Sequence, residues 1–218
     1  MLADRATKLF LHLGQFAAPL ACAAGLCAQP APAASTTTLY TQFQHSPPSA
    51  VIEALRAESE TIMGRLGISL EWRSLAAARG NEVSSRLAVI RFQGRCDVAG
   101  LSPHRAQPGA LGWTHASNGV ILPFGDVDCD RIRSFIQPDL LAVPAGDREF
   151  VFGRAVGRVL AHELYHILAR SPHHASGGVG KAEYAVYDLL AAHFVFDAPA
   201  SEELRGNQLR ASATEFAH

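Results

Sequence analysis

Apolar residues in this chain fall into a few periodic stretches, separated by runs that Pro and Gly interrupt. Residues 35–44, STTTLYTQFQ, are Thr-rich and aromatic with partial alternation, which predicts a strand. HSPPS then breaks the pattern, and Ser49 is placed to cap a helix. Val51, Leu55, Ile62 and Leu66 recur at helical spacing, and Gly67 suits that helix's C-terminal end. Ile68, Leu70 and Trp72 alternate as a second strand. RLAVIRFQG is a third, and its continuous apolar run from Leu87 to Ile90 marks it as central. Residues 96–110 have no period and read as a long loop.

LGWTHASNGVILPF predicts a hairpin, because Asn118-Gly119 suits a two-residue turn that needs positive φ. A short helix is expected around Arg131 to Ile136. A strong helix begins near Arg148 and must end before Pro172. KAEYAVYDLLAAHFVF predicts a last helix over 181–196, and the polar residues 199–218 a loosely held tail. These elements make an α+β fold, with a mostly sequential, twisted mixed sheet of four to five strands. The sheet packs on the N-terminal helix and the long helix, and a C-terminal helix completes a domain over 35–198.

Composition narrows the class. The chain has 218 residues, 48% of them hydrophobic, enough for one domain with a real core. A formal net charge of −1 supplies no field to draw nucleic acid, and no nucleic-acid-binding motif is present. The N-terminus carries Arg5 and Lys8, then an uncharged Ala-rich run, then QPAPAAS. That order describes a secretory signal peptide over residues 1–28, with cleavage as late as 33 also compatible. The mature chain is then expected to be secreted or periplasmic, monomeric, and free of the membrane. Removing the signal leaves only Cys96 and Cys129. Two cysteines in an exported chain allow one disulfide. Its loop of about thirty residues gives roughly 3–4 kcal/mol of stabilisation in the chain-entropy model.

The long helix carries the chemistry. His162 and His166 are four apart, so both imidazoles lie on one helical face within reach of one ion. Glu163 is about 100° around the helix, able to approach water at that ion without ligating it. This is the HExxH arrangement, two zinc-binding histidines and a general base. Glu163 is the only charged residue between Arg158 and Arg170, and a buried carboxylate without a partner is costly. Zinc needs at least one more ligand. His173 and His174 lie just past the Pro172 break, and their side chains point to opposite sides in extended chain. Glu183, near the start of the expected last helix, is a further alternative. His115, in the hairpin, could line the cleft.

VLAHELYHIL resembles the active-site helix of zincin metalloproteases. The wider pattern resembles small exported bacterial zincin-like proteins. The likeness is specific for His162, Glu163 and His166 and looser over residues 36–196. It implies a zincin-like fold whose edge strand aligns a peptide or protein substrate, with Zn2+ as cofactor. It also favours His174 as third ligand, because those exported proteins carry a His eight residues after the second motif His, then small residues and Gly. Metzincins place Gly and a third His where this chain has Ala169 and Pro172, so the chain departs from that pattern. Neither of its two methionines follows the motif. The expectation is a zinc metallopeptidase with Glu163 as base. The alternatives are a zinc-holding protein without turnover and a zinc hydrolase of non-peptide amides.

Overall fold

A computed structural model describes residues 35–215, except 83, 85, 107 and 108. The expected signal peptide lies outside the described residues. Among those residues, no helix is long and apolar enough to cross a membrane.

The strands are β1 (Ser35–Phe43), β2 (Ile68–Ser74), β3 (Leu87–Gln93), β4 (Gly112–Ser117) and β5 (Val120–Asp128). The helices are α1 (Ser49–Gly64), α2 (Cys129–Ala142), α3 (Arg148–Ala169), α4 (Val186–Leu190) and α5 (Ala198–Glu215). They build one mixed sheet with strand order β2-β1-β3-β5-β4. The first four are mutually parallel and β4 is antiparallel to β5. The order is therefore less sequential than the sequence suggested. Parallel neighbours need crossovers, and α1 returns the chain so that β2 flanks β1 on the outside. β3 is central, as its apolar run predicts. The hairpin turns at Asn118 and Gly119, both at positive φ.

One face of the sheet buries Leu39, Ala88, Ile90, Phe92 and Val127 in a core shared with α1 and α3. Helices α1 and α3 pack closely at two glycines one turn apart. A Cβ on Gly153 would lie 2.6 Å from the Val51 carbonyl oxygen, and one on Gly157 2.7 Å from that of Leu55. Cys96 and Cys129 form a disulfide, Cα atoms 4.9 Å apart, joining the region after β3 to the first residue of α2.

Four expectations need correction. Ser49 is the first residue of α1, preceded by Pro48, and no side chain caps that end. Helix α2 is longer than the short helix expected. It starts where the Asp128 side chain accepts the Arg131 N–H at 2.9 Å, and it runs through Pro138. Proline lacks the N–H that would bond the Ser134 carbonyl, and the Ala106 N–H takes that oxygen instead at 3.2 Å.

The helix expected over 181–196 shrinks to α4. Arg158 donates to the carbonyls of Asp188 and Ala191, both at 2.6 Å, and Arg154 donates to Ala191 and Ala192. Carbonyls that could have continued the helix are held by guanidinium groups of α3. The tail expected to be loosely held forms α5. Leu204 and Ala200 are buried, the Asp197 carboxylate accepts the Ala200 N–H, and Asn207 donates to the Ala169 carbonyl.

Candidate metal centre

Helix α3 is buried along most of its length, and it brings His162 and His166 together one turn apart. Their Nε2 atoms are 3.1 Å apart. His162 donates from Nδ1 to the Val179 carbonyl, and His166 from Nδ1 to the Ser171 carbonyl, each at 2.7 Å. With both Nδ1 protons committed to carbonyls, each Nε2 presents a lone pair. Two lone pairs so close repel unless a cation lies between them. Neighbouring ligands in a tetrahedral zinc site are about 3.4 Å apart, given Zn–N bonds of about 2.0–2.1 Å. Burial holds both imidazoles in the neutral form that a metal requires. It pushes His162 down to about 4 and lowers His166 as well.

The chain leaves α3 through Arg170 in the left-handed conformation, and Ser171-Pro172 then redirects it. That turn brings His174 back to the pair. Its ring centroid is 5.3 Å from that of His162 and 4.8 Å from that of His166. One ligand atom from each of His162, His166 and His174 falls within 4.8 Å of the others. The residues present fit a zinc ion, with an open side for water. His173 is exposed and outside this group, its backbone N–H directed to the Ser171 hydroxyl. Glu183 reaches the cavity beside the histidines without joining them.

Glu163 faces that cavity, of about 750 Å³, and is only 3% exposed. Burial pushes its carboxyl up to about 7, and a hydrogen bond from Thr114 opposes the rise. The Thr114 hydroxyl lies 2.8 Å from Glu163 Oε2. Thr114 is on β4, the edge strand, so base and sheet edge meet directly. Leu111, Phe135, Val159 and Tyr184 also line this cavity.

His115 does not line this cavity. Strand alternation turns it to the other face of the sheet, where Nε2 lies 2.6 Å from the buried Asp126 carboxylate. Arg91 and Gln93 bond the same carboxylate. Sequence reasoning thus chose the wrong neighbour, since Thr114 faces the site. It also missed Val179 and Ser171, whose backbone carbonyls orient the histidines and leave no mark in residue type. Tyr184, within the sequence expected to be helical, packs edge-on against His162 and donates to the Val179 carbonyl.

No protein-family model matches the chain, and no curated protein matches its sequence. Among solved structures, the archaemetzincin of Methanopyrus kandleri is similar, with a TM-score of 0.47 and 13% identity. The match covers 81% of this chain and 96% of that one. A likeness this distant carries no conclusion about chemistry, which rests on the residues above.

Proposed function

We propose that this protein is a zinc-dependent peptidase that works outside the cytoplasm, with His162, His166 and His174 as metal ligands and Glu163 as general base. The observation that carries this reading is the convergence of three imidazoles beside a buried carboxyl in an open cavity. Bound zinc supplies a Lewis acid and a water that loses its proton near neutral pH.

Glu163 then has two tasks. As the carboxylate it accepts the water's proton, and as the acid it returns that proton to the leaving amine. Its position near 7 suits both directions of transfer at neutral pH. Among the described residues β4 ends the sheet, and its outer edge is where an extended peptide would align along the cavity. A site that only held an ion for stability would gain nothing from burying Glu163 next to it, because an isolated buried carboxyl costs stability.

The test is Glu163→Gln. Zinc content should stay at the wild-type level while peptide hydrolysis falls about 10²–10⁴-fold. Unchanged turnover would reject the base. Zinc uptake without hydrolysis of any peptide by the wild type would favour a zinc-holding protein without turnover.

A further inference from the structure

We propose that Thr114 is a positioning residue that aims the Glu163 carboxylate, and that it links the sheet edge to the base. This inference rests on the peptidase reading for its catalytic meaning. Its geometry stands independently.

A carboxylate at the centre of a helix has three rotatable bonds and no fixed direction of its own. Here two features of the sheet set that direction. The first is the Thr114 hydroxyl, 2.8 Å from Oε2. Its single proton has a second acceptor in reach, the Glu163 backbone oxygen at 3.3 Å, but the carboxylate is the nearer and the stronger acceptor. The second feature is clearance. A Cβ on Gly112 would lie 2.7 Å from Oε1 and 2.9 Å from the Asp126 carbonyl oxygen. On β5, a Cβ on Gly125 would stand 3.7 Å from Glu163 Cβ and 3.0 Å from Ile90 Cδ1. Glycine at 112 and 125 lets the helix approach the sheet, and threonine at 114 supplies the one side-chain donor to the carboxylate among the described residues.

The strand is also irregular at this point. Its register against β5 shifts between Thr114 and Ala116. Such irregularities re-aim side chains and are common beside active sites. Since β4 is the edge of the sheet, a peptide added to that edge would engage the strand that holds the base. Peptide docking and base orientation would then share one strand.

The experiment compares Thr114→Val, which keeps the shape and removes the hydroxyl, with Thr114→Ser, which keeps the hydroxyl. Zinc-loaded full-length variants are assayed on a quenched fluorescent peptide that the wild type cleaves, chosen from a mixed peptide library. We expect kcat to fall about 10–100-fold in the valine variant, with KM within about twofold and zinc content unchanged. The serine variant should retain kcat within about threefold of wild type. Equal losses in both variants, or an unaffected valine variant, would overturn the proposal. If the wild type cleaves no peptide, the peptidase reading fails and Thr114 is judged by crystallography. A Glu163 side chain that turns away in the valine variant and stays in the serine variant supports positioning. One that keeps its place in both overturns it.

Discussion

Replacing Glu163 by Gln should raise the stability of the metal-free protein above pH 4.5, with the full gain at pH 7 and higher. In the folded chain this carboxyl is pushed up to about 7 from an ordinary 4.5, mainly by burial. A raised carboxyl pKa means that the folded state binds a proton the unfolded state has already lost. The cost to stability is therefore absent below pH 4.5, grows as pH rises from 4.5 to 7, and is complete above 7. The separation corresponds to roughly 3 kcal/mol. Glutamine removes that cost, retains an oxygen to accept the Thr114 hydrogen bond, and is nearly the same size. For a domain of this length the gain amounts to a rise of about 6–12 °C in Tm.

The assay is thermal unfolding of wild type and Glu163→Gln in chelator, at pH 4 and pH 8. The two should melt together at pH 4 and separate at pH 8. Zinc should narrow the gap, because a nearby divalent cation favours the carboxylate. Equal differences at both pH values, or a wild type more stable at pH 8, would refute the assignment of a destabilising buried carboxyl.

His174→Ala should weaken zinc binding far more than His173→Ala, measured as metal content of the purified variants; the reverse order would move the ligand to His173. Changing Cys96 and Cys129 together to Ser should lower stability by roughly 3–4 kcal/mol in urea unfolding, and reductant should have the same effect on the wild type. Arg158→Met removes a fully buried guanidinium that bonds Glu58 at 2.6 Å and two carbonyls of the segment around α4. It should cost about 1–3 kcal/mol, chiefly because the Asp188 carbonyl loses its donor, while Arg154 still bonds Glu58 and the Ala191 carbonyl. A melting temperature unchanged from wild type would show that the segment is held by other contacts.

Much of the fold was legible because its signals are local. The helical spacing of Val51, Leu55 and Ile62, the alternation of Ile68, Leu70 and Trp72, and Asn118-Gly119 each act within a few residues. The face shared by His162 and His166 is equally local, since it follows from helical pitch. What failed depended on distant partners. Residues 181–196 have helical periodicity, yet Arg154 and Arg158 withdraw the carbonyls of Asp188, Ala191 and Ala192 from it. The polar 199–218 stretch offers no apolar stripe, and its helix is anchored by Leu204 and Ala200 against a core assembled elsewhere. In the hairpin, the strand was correctly foreseen but its facing was not. The choice between Thr114 and His115 depends on which side of the sheet α3 covers.

Pro138 shows how an apparent defect can hold a neighbour in place. The missing N–H leaves the Ser134 carbonyl open, and the Ala106 N–H occupies it. The helix thus supplies an anchoring point for a loop with no regular structure of its own. That loop continues to Gly109, Ala110 and Leu111 on the cavity lining. Pro138→Ala would give Ser134 a partner within the helix and make Ala106 compete for the oxygen. A change that repairs α2 should therefore loosen the loop at Ala106, where Arg105 and Gln137 still tie it to the same helix. Local helix stability and loop order thus pull in opposite directions at that point.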